Sequence, residues 1–318
     1  MTDTEATSML SRRQFGTLAG GAPTAMLAGC VDGIGTGANG GSGGEDPTAT
    51  AAFFAVYDLA RHVVADTGTV VDLVPVGSHG DDWEPDPGII QEITRGEAFV
   101  YIEGFRGWSD RQANTLREEY PEVTVIDLAE GIEFIEGEGG RARDPHFWLD
   151  PELAVEGVET LREGFTETNP DHAEAYESNA EAYAERLREV DERFETELAD
   201  RARDHVVMGN HNSFTYWEPA YGIEVTSASG ISPDEDVSAR DRRDIEALMD
   251  QHGIEHVAYD MYESDRVSER IAADTGAELV PLSPVEATTE EQFEAGMGYV
   301  EHMLEINLES LRTALGAE

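Results

Sequence analysis

The sequence predicts an α/β protein made of two doubly wound parallel-sheet lobes joined by one long helix. Between residues 51 and 167, short apolar runs alternate with amphipathic stretches, and the same alternation returns between residues 205 and 318. Residues 168–204 lie between these regions and carry a single apolar stripe at helical spacing. Alternating strands and helices are typical of a parallel sheet with helices on both faces.

Residues 1–29 are predicted to be a targeting segment that does not belong to the fold. Ser11 to Phe15 read Ser-Arg-Arg-Gln-Phe, a twin-arginine export pattern, and the apolar run that follows is too short to span a bilayer. The run ends in Leu-Ala-Gly-Cys at Cys30, which resembles a lipoprotein processing site. Cys30 is the only cysteine, so no intramolecular disulfide can form, and we expect this residue to be lipidated.

Residues 30–50 are rich in glycine, threonine and serine and are predicted to be a flexible tether. Together with the targeting segment, this tether predicts export by the twin-arginine route and anchoring at the extracellular face of the cell membrane. Such a location favours extracellular capture or extracellular chemistry.

The charge of the chain is extreme. Its 318 residues include 67 Asp and Glu against 21 basic residues, all arginine, for a net charge of −46. Nucleic acid is excluded as a partner because phosphate contacts need clustered cations, and a Walker A loop is excluded because there is no lysine. At molar salt the Debye length is about 3 Å, so self-repulsion is screened. The composition therefore predicts a surface adapted to high salt.

The elements of the first lobe follow from its apolar runs. The predicted strands span 52–56, 70–76, 99–102 and 123–128. The predicted helices span 57–65, 87–95, 109–119 and 151–165.

A stiff loop precedes the last of these helices. It reads Asp-Pro-His-Phe-Trp-Leu-Asp-Pro from Asp144 to Pro151. Proline fixes its own φ and disfavours helix in the residue before it, so His146 is held in non-repetitive backbone beside an aromatic pair. Asp150 is predicted to cap the helix with Pro151 in its first turn. A histidine held in this way is either a preorganised metal ligand or a buried structural residue.

A long helix is predicted after this loop, with Asn169 as its cap and Pro170 at its start. Its apolar positions are Ala173, Tyr176, Ala180, Tyr183, Leu187, Val190, Phe194 and Leu198. About thirty residues give a length on the order of 45 Å, so we expect this helix to bridge the two lobes. A coiled coil is disfavoured because no matching second run exists.

The second lobe repeats the alternation of the first. Its predicted strands span 206–209, 223–226, 254–260 and 277–282, and its predicted helices span 240–252, 265–275 and 289–315.

Three loops that follow predicted strands carry histidine. Ligands in open parallel sheets gather beyond the carboxyl ends of the strands, so these loops are candidate binding loops. They contain His79 with Asp81, then His146, then His211. Dispersed imidazoles with a carboxylate suit Zn²⁺, or Mn²⁺ as the number of oxygen ligands rises.

The chain from residue 50 to 318 resembles the solute-binding lipoproteins of zinc and manganese ABC transporters, the cluster A-I metal receptors. The segment from Asp144 to Pro151 resembles the second-ligand motif of that family, and His211 with Phe214 and Tyr216 resembles the third-ligand segment. Trp83-Glu84-Pro85 resembles the tail of the first-ligand motif. The resemblance implies two lobes on a rigid helix with a metal site in the cleft between them.

The same resemblance implies a function in binding and none in catalysis. We expect a monomeric extracellular receptor that captures Zn²⁺ and passes it to a membrane permease and its ATPase. The expected metal ligands are His146 and His211, with His79 or Asp81 completing the first-lobe side.

Two positions depart from the family pattern. By spacing, the family's first histidine falls on Asp81, while the nearby imidazole, His79, lies two residues earlier. Ser283 stands where the family often has a carboxylate, which leaves the fourth ligand to Asp81, a water or an unidentified residue. Mn²⁺ or Fe²⁺ is favoured over Zn²⁺ if Asp81 coordinates.

Two functions of other classes are alternatives. His252 to His256 match the His-x-x-Glu-His pattern of some zinc peptidases, which would make the protein a secreted metallohydrolase. Gly253 is predicted to end a helix there and Ile254 to open a strand, which would separate the two imidazoles. A surface adhesion protein without a metal is the other alternative. The arginines are expected to be solvated or ion-paired and to have no functional role.

Overall fold

The computed structural model describes residues 48–78, 83–136, 143–228 and 239–317. The predicted targeting segment, Cys30 and nearly all of the predicted tether lie outside these ranges, as do His79 and Asp81. None of the helices in the described ranges combines the length and the apolar character that crossing a bilayer requires.

The first lobe is a parallel sheet of four short strands in the order β2-β1-β3-β4. The strands are β1 (Ala49–Ala51), β2 (Val70–Asp72), β3 (Ala98–Tyr101) and β4 (Thr124–Asp127). The helices are α1 (Phe54–Val64), α2 (Ile89–Ile93), α3 (Gly107–Glu119) and α4 (Pro151–Thr168).

The first predicted strand, 52–56, is wrong. The strand ends at Ala51, and the following apolar run from Phe54 onward is the buried face of α1. A short apolar run fits a buried strand and a buried helix equally well, so periodicity could not separate the two.

Helix α5 (Ala173–Glu197) links the lobes. Its 25 residues span about 37 Å at 1.5 Å per residue. It starts later than predicted, because the 3-10 turn Pro170–His172 precedes it and Asn169 makes no side-chain cap bond. The burial follows the predicted stripe, with Tyr176, Ala180, Tyr183, Leu187, Val190 and Phe194 all buried. The helix packs on α1 and α4 of the first lobe and on the C-terminal helix.

The second lobe has the same strand order as the first, β6-β5-β7-β8, and all of its strands are parallel. The strands are β5 (His205–Met208), β6 (Glu224–Ser227), β7 (His256–Asp260) and β8 (Glu278–Leu282). The helices that lie between or follow them are α6 (Trp217–Tyr221), α7 (Ala239–His252), α8 (Arg266–Thr275) and α9 (Glu290–Glu294). The predicted fold class is confirmed.

The predicted helix over 289–315 is interrupted. Helix α9 ends at Glu294, and Gly296 has a φ of +75°, which a helix cannot continue through. A second helical run then begins with α10 (Tyr299–Glu301), passes through the π-helical segment His302–Leu308 and ends with α11 (Glu309–Leu315).

Asp58 joins three of these helices. Its Oδ2 accepts hydrogen bonds from the Tyr183 hydroxyl of α5 at 3.0 Å and from the backbone N–H of Tyr299 in α10 at 2.9 Å. Its Oδ1 accepts from Arg61 Nε at 2.8 Å. The carboxylate is buried, and paired buried charges of this kind are costly to break. Asp58 therefore ties the first lobe to the linking helix and to the C-terminal helix.

Aromatic side chains fasten the loop around His146 to the second lobe. The Trp148 indole N–H donates to the carbonyl of Pro284 at 2.9 Å, and the Tyr299 hydroxyl donates to the carbonyl of Trp148 at 2.6 Å. The Trp217 indole N–H donates to the carbonyl of Leu149 at 2.9 Å. These donors are buried, so the loop is fixed to the second lobe without exposure to water.

The strand order places a crevice in each lobe. It reverses between β1 and β3 in the first sheet and between β5 and β7 in the second. Loops that leave the carboxyl ends of strands at such a reversal form the usual binding crevice of open α/β sheets. Arg106 follows β3 and His211 follows β5, so both residues lie at these crevices.

Candidate metal centre

His146 lies at the start of a short 3-10 turn (Phe147–Leu149) and is buried. The turn leads into α4, whose cap is Asp150 as predicted. The Asp150 carboxylate accepts from the backbone N–H of Glu152 at 2.9 Å, and Pro151 occupies the first turn. The imidazole is enclosed by the rings of Trp148, at a centroid distance of 5.2 Å, and Phe105, at 5.6 Å.

The Asp144 carboxylate fixes the orientation of the His146 ring. Its Oδ1 is 2.7 Å from Nδ1 of His146, and a carboxylate can only accept, so Nδ1 carries the proton. Burial alone would lower the pKa of His146, but the charges of Asp144 and Glu286 outweigh it and raise the pKa to about 9. The Nε2 atom is left to face the cleft, where it lies 3.5 Å from Glu286 Oε1. A ligating histidine held by a carboxylate at its other nitrogen is common in metal sites.

His211 reaches the same place from the second lobe. It follows β5 in a buried segment that also contains Asn212 and Ser213. Its Nδ1 lies 2.9 Å from Oε1 of Glu263, and its Nε2 lies 2.8 Å from the hydroxyl of Ser213. The ring centroids of His146 and His211 are 6.1 Å apart. The two predicted imidazoles, one from each lobe, therefore lie together.

Glu286 completes the group and was not predicted. It follows β8 and is fully buried. Its Oε2 accepts from Arg106 Nη2 at 2.7 Å, whereas its Oε1 has no hydrogen-bond partner among the described residues. Burial raises the pKa of Glu286, but the nearby imidazole of His146, whose Nε2 lies 3.5 Å from Oε1, and the charge of Arg106 outweigh this and bring it to about 2. The side chain is therefore a carboxylate with one oxygen left to bind a cation.

An unusual backbone turn presents this carboxylate. Val285, directly before Glu286, has a φ of +59°, which is a strained conformation for a β-branched residue. The Ser283 hydroxyl accepts from the backbone N–H of Val285 at 3.1 Å and is 2.8 Å from Nδ1 of His302. Strain of this kind concentrates at functional sites, where the surrounding structure holds it in place.

Ligand atoms of His146, His211 and Glu286 all lie within 4.8 Å of one another. A second group, His211, Asp260 and Glu263, satisfies the same distance and shares His211.

The chemistry of these donors fits a divalent metal ion. Two imidazoles and one carboxylate oxygen are ordinary zinc ligands. The buried Oε1 of Glu286, which no described hydrogen bond satisfies, points to a cation at this place. The carboxylates of Asp144, Asp260, Glu263 and Glu286 lie beside the two imidazoles, and Arg106 pairs with one of them, so the local field of these described residues favours a cation.

The structure adds two residues to the candidate site. Ser283 does not stand in for the carboxylate, because Glu286, three residues further on, extends toward the imidazoles from the same loop. Arg106, to which no role was assigned, lies at the site with only 8% of its surface exposed. One feature of the sequence indicates a special role for Glu286: it is the only charged residue between Leu279 and Thr289. His79 and Asp81 remain untested because they lie outside the described residues.

The His252 to His256 pattern does not form a peptidase site. His252 ends α7 and His256 begins β7, and Gly253 between them has a φ of +63°. A zinc peptidase site of the His-x-x-Glu-His type needs both imidazoles on one face of a single helix, which this break prevents.

The sequence was compared with models of known families. The model of the family described as "ZnuA: Zinc-uptake complex component A periplasmic" matches residues 50–314. The chain belongs to this family. It is therefore a solute-binding receptor and not an enzyme, which confirms the resemblance and sets aside the metallohydrolase.

Individual relatives agree with this membership. The high-affinity zinc uptake system protein ZnuA of Bacillus subtilis (strain 168) is 27% identical over 277 residues, which cover 83% of this chain and 86% of the relative. The zinc-binding protein AdcA of Streptococcus pyogenes serotype M1 is 28% identical over 283 residues, covering 82% of this chain. This ZnuA-family chain spans about half of that relative, 54% of its length.

A solved structure shows the same architecture. The crystal structure of the Zn(II)-bound ZnuA-like domain of Streptococcus pneumoniae AdcA aligns with a TM-score of 0.74 and 27% identity. The alignment covers 85% of this chain and 99% of that domain.

Proposed function

We propose that this protein captures Zn²⁺ outside the cell and delivers it to an ABC transporter permease and its ATPase. The observation that carries the proposal is the meeting of His146, His211 and the unsatisfied Oε1 of Glu286 in a buried site. The names of the relatives, which are zinc-uptake and zinc-binding proteins, support zinc as the ion. The mechanism is binding and release without chemical turnover.

The fourth ligand is proposed to come from the segment that contains His79 and Asp81. A third imidazole from His79 favours Zn²⁺, because nitrogen-rich tetrahedral sites suit that ion. Coordination by Asp81 would give two oxygen and two nitrogen ligands and would favour Mn²⁺ or Fe²⁺, the second candidate cargo.

The test is metal binding by the mature protein in molar salt, with Zn²⁺ and Mn²⁺ offered together and a chelator in competition. We expect His211→Ala and Glu286→Gln each to weaken Zn²⁺ binding by more than about a hundredfold, because loss of a direct ligand exceeds the 10- to 100-fold loss typical of outer partners. His172→Ala is the matched control, since this imidazole lies in the turn before α5 and belongs to neither group of candidate ligands among the described residues. Wild-type affinity in the His211→Ala protein would overturn the proposal.

Separate His79→Ala and Asp81→Ala proteins identify the fourth ligand. Loss of Zn²⁺ affinity in the first alone assigns His79. Loss in the second alone, with Mn²⁺ bound more tightly than Zn²⁺ by the wild type, assigns the oxygen-rich alternative.

We propose that the twin arginines Arg12 and Arg13 direct export and that a lipid on Cys30 anchors the mature receptor as a monomer. Cys30→Ala should release the protein into the medium, and replacement of both arginines by lysine should retain it inside the cell. Fractionation of cells that produce each variant measures both outcomes, and an exported protein with the lysine pair would contradict the twin-arginine route.

A further inference from the structure

Arg106 and the imidazoles contact different oxygens of the same carboxylate. The Nη2 atom of Arg106 donates to Oε2 of Glu286 at 2.7 Å, whereas Oε1 lies 3.5 Å from Nε2 of His146. The guanidinium carbon of Arg106 lies 4.2 Å from the centre of the Phe105 ring. Arg106 is 8% exposed and Glu286 is fully buried, so the pair is shielded from water.

The two residues come from opposite lobes. Arg106 precedes α3 at the crevice of the first sheet, and Glu286 follows β8 of the second. Phe105, whose ring lies against the guanidinium, also packs edge-on against His146. The guanidinium therefore has a fixed position relative to both the imidazole and the carboxylate.

The coordination mode of a carboxylate influences which metal it binds. Zn²⁺ takes four ligands in a tetrahedron and needs only one carboxylate oxygen. Ca²⁺ takes six to eight oxygens and uses carboxylates with one or both oxygens, and Mn²⁺ likewise suits octahedral oxygen sites. An arginine that donates to the second oxygen occupies one of its lone pairs and fixes its position, so the first oxygen is the one that faces the imidazoles.

We infer that Arg106 is a specificity-determining residue of the metal site. By holding Oε2, it confines Glu286 to one-oxygen coordination and so favours a small four-coordinate ion over ions of higher coordination number. The inference rests on the proposed function, because it takes Glu286 to be a metal ligand. Arg106 acts through Glu286 and is a positioning residue.

The positive charge of Arg106 also affects metal affinity, and this effect must be separated from its effect on the coordination mode of Glu286. A positive charge next to the site weakens binding of every divalent cation by a similar factor, whereas control of the coordination mode changes the preference among cations. The informative quantity is therefore the ratio of the Zn²⁺ and Mn²⁺ affinities, which a pure charge effect leaves nearly unchanged.

Two substitutions separate the effects. Arg106→Met removes both the charge and the donor, whereas Arg106→Gln removes the charge and keeps an N–H that can donate to Oε2. Arg111→Met is the matched control: this arginine is 67% exposed, lies 3.9 Å from Glu84, and its loss changes the net charge by the same amount.

Both affinities are measured by chelator competition in molar salt on the full mature chain. We expect Arg106→Met to reduce the preference for Zn²⁺ over Mn²⁺ by about tenfold, the lower end of the range for outer partners of a metal site. Arg106→Gln should bind both ions more tightly and keep most of the wild-type ratio. Arg111→Met should match the wild type.

Bound Co²⁺ gives a readout that is independent of affinity. Four-coordinate Co²⁺ absorbs visible light strongly and six-coordinate Co²⁺ weakly, so we expect strong absorption in the wild type and in Arg106→Gln. The absorption should weaken in Arg106→Met. Arg106→Ala, which leaves room for a water beside Oε2, repeats both measurements if the methionine variant does not fold.

An unchanged affinity ratio and an unchanged Co²⁺ spectrum in a folded protein that lacks Arg106 would overturn the inference while the zinc site stands. Failure of the wild type to bind Zn²⁺, or retention of its affinity by Glu286→Gln, would instead overturn the proposed site. The two failures are therefore distinguishable.

Discussion

Asp144 holds His146 through two hydrogen bonds to a single oxygen. Its Oδ1 accepts from the backbone N–H of His146 at 2.9 Å and from Nδ1 of the ring at 2.7 Å. Its Oδ2 accepts from the hydroxyl of Thr215, which belongs to the second lobe. One buried carboxylate thus orients the imidazole and connects its loop to the opposite side of the cleft.

Replacing Asp144 by Asn should weaken metal binding by about 10- to 100-fold, the usual cost of removing the outer partner of a ligating histidine. The amide keeps the shape but no longer provides a charged acceptor for Nδ1–H. Chelator competition measures the change. Asp171→Asn removes the same charge from an exposed turn and should have no effect, and an equal loss in both variants would point to a general charge effect.

Trp148→Phe should destabilise the protein by about 1–3 kcal/mol, because it leaves the buried carbonyl of Pro284 without its donor. Pro284 lies two residues before Glu286, so we also expect weaker metal binding. Thermal unfolding with and without Zn²⁺ measures both effects. Trp108→Phe is the control, because the indole N–H of this buried tryptophan has no hydrogen-bond partner among the described residues. A lower melting temperature with unchanged affinity would show that the Pro284 contact does not position Glu286.

The buried imidazole of His302 should make the fold sensitive to acid. Burial, which outweighs the nearby charges of Asp58 and Glu301, lowers its pKa from 6.5 to about 4. The unfolded chain therefore takes up this proton first as the pH falls. The stabilisation that comes from keeping His302 neutral is fully present above pH 6.5. It is lost between pH 6.5 and about 4, which lowers the free energy of unfolding by roughly 3 kcal/mol.

Urea unfolding of the wild type and His302→Gln between pH 7 and 4 tests this expectation. The glutamine variant should lose less stability over that range, because its side chain does not titrate. Ser283→Ala removes the hydroxyl near Nδ1 of His302 and should lower stability at every pH while most of the slope remains. Parallel curves for the wild type and His302→Gln would refute the assignment.

The net charge of −46 should make the fold dependent on salt. We expect unfolding below about 0.5 M salt, where the Debye length lengthens and the acidic surface repels itself. Circular dichroism during dialysis into dilute buffer measures this. Sucrose of equal osmolality does not screen charge and should not restore the fold, and a cooperative melt that is unchanged in dilute buffer would contradict the prediction.

Local sequence patterns were sufficient for most of the architecture. Strand alternation predicted both parallel sheets, and the stripe of α5 predicted the buried face of the linking helix. The two Asp-Pro pairs around His146 predicted the stiff loop that holds this residue and the Asp150 cap of α4. Proline restriction and helix capping act within a few residues, so local sequence is enough to predict them. One error fell at the start of α1, where one short apolar run suits both a strand and a helix. Another was the break at Gly296 inside the last predicted helix.

The sequence by itself determined the two α/β lobes and the helix between them, and it predicted His146 and His211 as candidate ligands, since each depends on periodicity or on neighbouring residues. Only the tertiary structure decided that Glu286 and not Ser283 extends toward those imidazoles, because this depends on the positive φ of Val285. It also decided that Arg106 holds the second oxygen of that carboxylate, 180 positions away. Contacts between lobes depend on how two sheets pack, which no local pattern encodes.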